Sequence, residues 1–130
     1  MIGTERERIQ NLFAALMSSK LHEFPSSGYV LAVGDEQGVY AIHGTADEVL
    51  HVGCTYRGKR GMYQRLRNHL QAASSFVDEY FDNDGSPLRN GCGYRFLAVE
   101  DSRMRILLEA YAIGSLCPAH IGLHEERSAK

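Results

Sequence analysis

Apolar residues recur at helical spacing near the start of the chain. Ile9, Leu12, Phe13, Leu16 and Met17 repeat at three- and four-residue intervals behind Thr4, and Glu7 completes a capping box with that threonine. The pattern predicts an amphipathic helix over 4–20 with Glu5 and Arg8 on its wet side, an element for packing and not for chemistry. Phe24-Pro25-Ser26-Ser27-Gly28 breaks it, the β-forming run 29–33 reads as a strand, and 34–38 is a turn cluster. Two strands are predicted over 38–43 and 48–53, with 44–47 as their hairpin loop. A helix over 60–74 carries Met62, Leu66, Leu70 and Ala73 on its apolar stripe. Residues 75–92 mix Phe76, Tyr80 and Phe81 with the turn-rich run 82–87, which predicts a long loop around a short helical piece. A strand over 94–100 and a helix over 102–116, stopped by Pro118, complete the core, and 123–130 is a polar tail. The expectation is one α+β domain over 1–130: a small central antiparallel sheet of three core strands with room for a fourth, flanked by helices, with an additional N-terminal helix.

A chain of 130 residues with 44% apolar content can bury one core without staples. Cys54, Cys92 and Cys117 form no CxxC or CxxH pair, which argues against a disulfide framework and a structural zinc and points to a reducing cytoplasm. The N-terminus lacks a secretion signal, and no run of about 18 apolar residues predicts a membrane span. A net charge of −2 offers no general attraction to nucleic acid. The distribution changes that picture: Arg57, Lys59, Arg60, Arg65 and Arg67 follow one another with no acidic residue between them. Such a stretch is either a solvated face or a local field that draws phosphates.

Three places hold candidate chemistry. If 44–47 is the loop, antiparallel pairing sets His43 opposite Glu48 and Tyr40 opposite His51, with Cβ atoms about 5 Å apart. That pair is either structural or a phenol and an imidazole able to exchange a proton, and a one-residue change of register would remove it. On the next helix Arg65 and His69 share a face while Arg67 points elsewhere. A guanidinium fork suits phosphate oxygens, and a neighbouring imidazole can donate to another oxygen or move a proton. On the last helix Glu109 stands beside Ile106, Ala110 and Ile113. A carboxylate among apolar neighbours pairs with a cation, binds a metal or stays protonated. The choices are an ion pair with Arg105 and a hydrated divalent ion.

Taken together these residues resemble the GIY-YIG endonuclease superfamily. Gly38-Val39-Tyr40 matches its first element, and His51-Val52-Gly53, eleven residues after the tyrosine, stands at its second. Arg65 to His69 matches its arginine–histidine helix, and Glu109 with Pro118 nine residues on matches its metal-binding helix. The match spans 29–122. Two positions depart from the pattern: His51 replaces the second tyrosine, and Ile121 stands where an asparagine is expected, with His120 adjacent as a substitute.

The resemblance implies a hydrolase that cuts phosphodiester bonds with one Mg²⁺ or Mn²⁺ held by Glu109, Arg65 on a non-bridging oxygen, and Tyr40 as base. His69 would donate to the phosphate or to the Tyr40 oxygen. A phenol of pKa near 10 must fall about 3 units, about 4 kcal/mol, to ionise at neutral pH, whereas an imidazole needs no such shift. His51 is therefore expected either to assist Tyr40 or to be the base itself. Arg57, Lys59 and Arg60 are the candidate nucleic-acid contacts, and Gly38 and Gly53 are structural. DNA is expected over RNA, with a homodimer or a targeting partner protein as further associations. The alternative is the same fold kept as a module that binds nucleic acid or protein without cutting.

Overall fold

A computed structural model describes residues 3–56 and 60–122. Arg57, Lys59 and the polar tail from 123 onward lie outside the described residues. Helix α1 (Glu5–Ser18) starts at the Thr4 capping box, with Thr4 Oγ1 accepting from Glu7 N–H. Strands β1 (His22–Glu23), β2 (Gly38–His43), β3 (Val49–Cys54) and β4 (Gly93–Ala98) form one antiparallel sheet in the order β1-β4-β2-β3. Between β3 and β4 run α2 (Gly61–Leu70), α3 (Ser75–Tyr80) and a 3₁₀ turn (Ser86–Arg89); α4 (Ser102–Leu116) follows β4. No helix among the described residues is long and apolar enough to cross a membrane.

The sheet separates two cores because alternate strand residues face opposite sides. Tyr40, Ile42 and Tyr94 pack with Met62, Leu66, Phe76 and Leu88 beneath α2 and α3. Val39, Ala41, Val52 and Cys54 pack with Ile9, Leu16, Met104, Leu108 and Ala112 beneath α1 and α4. All six residues of β2 are buried, as a central strand covered on both faces requires.

Three expectations are corrected. The run 29–33 is not a strand: Val30 is 88% exposed, and Ala32 N–H is held by the Tyr94 hydroxyl at 2.8 Å instead of by a ladder. The fourth strand is His22–Glu23, which takes the edge of β4. The hairpin register also differs, since Tyr40 faces Gly53, Ile42 faces His51 and His43 faces Val49, with an irregularity at Ile42/His43. Asp47 adopts a left-handed backbone and Gly44 N–H donates to Glu48 O at 2.8 Å, so the turn runs through Glu48 and β3 gains Leu50 as an extra residue. Finally, α4 buries only the stripe Met104, Leu108 and Ala112 with Arg105, so Ile106 and Ala110 lie on its exposed side.

Candidate active site

Tyr40 lies across the sheet toward β3, and the glycine opposite makes this possible. A Cβ on Gly53 would sit 2.5 Å from the Tyr40 hydroxyl and 2.6 Å from its Cζ. Gly38 is similarly pressed against Leu97 O and Met62. The ring thus reaches α2, where its hydroxyl stands 2.8 Å from His69 Nε2, and His69 Nδ1 stands 2.7 Å from the Oγ of Ser74, the N-cap of α3. Phenol, imidazole and hydroxyl form one buried chain. The bond expected between Tyr40 and His51 goes instead to His69; Tyr40 and His51 are diagonal neighbours with ring centroids 6.3 Å apart.

His51 lies flat on Phe76 of α3, 4.6 Å between centroids and 13° between planes. Its imidazole opens into a cleft of about 360 Å³ whose lining includes Gly53, Cys54, Tyr56, Arg65, Glu109 and His120. Arg65 and Glu109 therefore meet at the free edge of β3 although α2 and α4 pack on opposite faces of the sheet. The Tyr40 hydroxyl lies beneath this meeting point, close enough to Arg65 for the guanidinium to act on the phenol. Arg65 Nε is buried and has no hydrogen-bond partner among the described residues.

The suggested ion pair between Glu109 and Arg105 does not form. Arg105 is buried and gives its guanidinium to four carbonyls: Thr55 at 3.0 Å, Tyr56 at 3.2 Å, Val99 at 3.0 Å and Glu100 at 2.6 Å. That bracket ties the chain after β3 to the chain after β4. Burial raises the Glu109 pKa, while hydrogen bonding from Cys54 and the charge of Arg65 oppose the rise. In turn Glu109 pushes the phenol of exposed Tyr56 up to about 12.

Burial also drives Tyr40 up to about 12 in spite of Arg65. His51 is lowered to about 3 by burial, then by His120 and Arg65, and His69 is lowered well below its usual value by burial, then by His51, Arg65 and His120. Both imidazoles are neutral at neutral pH, with lone pairs to offer.

A divalent cation fits the donor set. Among the described residues no three histidine, cysteine or acidic side chains gather as a cage. One half-buried carboxylate opening on a cleft with room for water suits a hard, hydrated ion such as Mg²⁺.

Of the residues singled out from the sequence, Tyr40, His51, Arg65, His69, Glu109 and His120 lie together here. Arg60 does not line the cleft: it is exposed, paired with Asp35 at 3.7 Å and stacked on the Tyr63 ring at 4.5 Å. Sequence reasoning missed Cys54, Tyr56, Ser74 and Glu79. Ser74 was readable as a helix cap before Ser75–Tyr80, and Cys54 and Tyr56 directly follow the second motif. Nothing in the sequence marked Glu79.

The sheet order, the flanking helices and the N-terminal helix define an α+β fold of the GIY-YIG endonuclease domain type. Among solved structures the chain is similar to the GIY-YIG N-terminal endonuclease domain of UvrC from Thermotoga maritima bound to its catalytic divalent cation, magnesium. That similarity has 19% identity and a TM-score of 0.50 over 94% of this chain and 100% of that one. Two point mutants of the same domain, each bound to the catalytic divalent cation, align at TM-score 0.50 with 18% and 19% identity over 95% of this chain and 100% of those. No family model matches the sequence, and no curated protein matches it. The likeness is one of fold.

Proposed function

We propose that this chain is an endonuclease that hydrolyses phosphodiester bonds in DNA with one divalent ion, Mg²⁺ or Mn²⁺. The observation that carries the reading is the convergence of Arg65, Glu109 and His51 on one cleft at the edge of β3. Glu109 would hold the ion, which when bound supplies charge stabilisation at the scissile phosphate and leaving oxygen. Arg65, with its Nε unpartnered, offers its fork to a non-bridging oxygen. His51 is the proton acceptor of choice, because its neutral imidazole lines the cleft while the Tyr40 hydroxyl has no exposure and is driven up to about 12. Lowering a phenol from 12 to 7 would take about 7 kcal/mol. Tyr40 instead orients Arg65 and His69. Arg57, Lys59 and Arg60 are the proposed nucleic-acid contacts.

A second reading, the same fold as a binding module that does not cut, is favoured by that deep burial of the Tyr40 hydroxyl. Plasmid, single-stranded and branched DNA, and RNA, incubated with Mg²⁺, Mn²⁺ or EDTA, separate the two. Metal-dependent cleavage by the unaltered chain that is lost in Glu109→Ala supports the nuclease; DNA binding without cleavage in either metal supports the module.

A further inference from the structure

We infer that Glu79 and His120 are positioning residues that lock His51 in a single tautomer, with Nδ1 protonated and the Nε2 lone pair left to accept a proton. The inference deepens the nuclease reading and rests on it for its catalytic consequence, but the tautomer itself is a property of the protein alone.

His120 arrives beside His51 by construction. After α4 the chain turns at Cys117, in the left-handed region with φ 47°, and passes Pro118. Ala119 N–H then donates to Val49 O at 3.1 Å and His120 N–H to Leu50 O at 2.9 Å, strapping the segment to the free edge of β3 next to His51. The His120 side chain is 8% exposed. Its Nε2 stands 2.7 Å from Glu79 Oε1, and its Nδ1 stands 3.3 Å from His51 Nδ1.

The order of protons follows from donor chemistry. A carboxylate only accepts, so His120 Nε2 carries a hydrogen. With a single proton on His120, which the proposal takes as its premise, the lone pair lies at Nδ1 and the facing Nδ1 of His51 is the donor. Neutral His51 is left with its lone pair on Nε2, the nitrogen free to take a proton from water. Phe76, stacked beneath the ring, fixes its plane. Also turned toward this imidazole are Tyr40 from β2, Arg65 and His69 from α2, and the His120 backbone, which lies within hydrogen-bonding reach of the ring. When water gives its proton to Nε2, the new imidazolium keeps its Nδ1–H on His120, and the Glu79 carboxylate bonded to His120 offsets the charge. The logic is that of a carboxylate orienting a catalytic histidine, extended by one imidazole.

Long-range ¹H–¹⁵N correlation spectra of the labelled protein in EDTA read the tautomers directly. His51 is expected as Nδ1–H and His120 as Nε2–H; His51 found as Nε2–H, as a doubly protonated His120 would require, overturns the inference. Glu79→Gln keeps an acceptor for His120 Nε2–H while losing the charge. It should lower kcat about 10- to 100-fold with KM unchanged. His120→Phe should mix the His51 tautomers, and an unmixed Nδ1–H signal there also refutes the assignment. Absence of cleavage by the unaltered protein would sink the nuclease reading, and the spectra would still decide the tautomer.

Discussion

Gly53→Ala tests the motif, the fold and the site in one substitution. The new Cβ would lie 2.5 Å from the Tyr40 hydroxyl and 2.6 Å from Cζ, roughly 1 Å inside normal carbon contact. Neither side yields cheaply: Tyr40 has no exposed surface, and its hydroxyl is tied to His69 at 2.8 Å. Forcing a methyl into a packed core costs about 1–3 kcal/mol, and displacing the phenol sacrifices about another 1 kcal/mol of hydrogen bonding. With a urea slope of about 1–3 kcal/mol/M, the midpoint should fall by roughly 1 M. Tyr40→Phe in the same chain should not restore it, because Cζ remains in the way. Equilibrium urea unfolding followed by circular dichroism measures both variants, and cleavage should fall in parallel as Arg65 loses its support. An unchanged midpoint in Gly53→Ala, or full rescue by Tyr40→Phe, would refute the packing account of the second motif.

Arg105→Met should lower stability by at least about 3 kcal/mol, since four carbonyls lose their buried donor at about 1–3 kcal/mol each; a loss under 1 kcal/mol in urea would show that the bracket does not hold the two connections. Arg65→Lys should leave the fold intact and cut kcat by roughly 10- to 100-fold, the loss of about 1.5–3 kcal/mol from a charge-assisted hydrogen bond, and undiminished turnover argues against the fork. Stability in EDTA should fall as the pH drops below 6.5. His51, held at about 3, and His69, held well below 6.5, stay neutral in the fold while the unfolded chain binds protons. Their contribution is fully present above 6.5 and is lost on acidification, with a slope approaching about 2.7 kcal/mol per pH unit for the two. His51→Phe should halve that slope between pH 6 and 4.5, and an unaltered slope would mean that His51 is not held neutral.

What the sequence disclosed and what it hid divide along a physical line. Helices α1, α2 and α4 and strands β2, β3 and β4 were legible because their apolar spacing and caps are local properties of the chain. The run 29–33 misled because β-formers describe a preference for a pleated surface, and which segment wins a sheet edge is settled by packing. The hairpin register failed for a similar reason: one left-handed residue, Asp47, and one extra residue, Leu50, moved His51 from Tyr40 to Ile42. The motif residues still came together, because Tyr40, Arg65 and Glu109 each sit on an element whose place in the chain was legible: β2, α2 and α4. Glu79 was invisible, since a charged residue on a six-residue helix looks like a solvated one until its partner from the other end of the chain is known.

The position of the cleft accounts for how so few charged groups act together in so small a domain. Tyr40, His51 and His69 belong to the face beneath α2 and α3, and Glu109 belongs to α4 on the opposite face. In the middle of the sheet those groups would be separated by about two side-chain layers, roughly 10 Å. β3 is the edge strand, so both layers can reach round its rim, and Gly53 removes the one side chain that would stand between the Tyr40 hydroxyl and that rim. The same edge has unpaired backbone groups that would invite another strand. The segment carrying His120 covers part of it through Ala119 and His120. One strap thus closes the exposed edge and delivers an imidazole to the site, which couples the protection of the sheet to the orientation of His51.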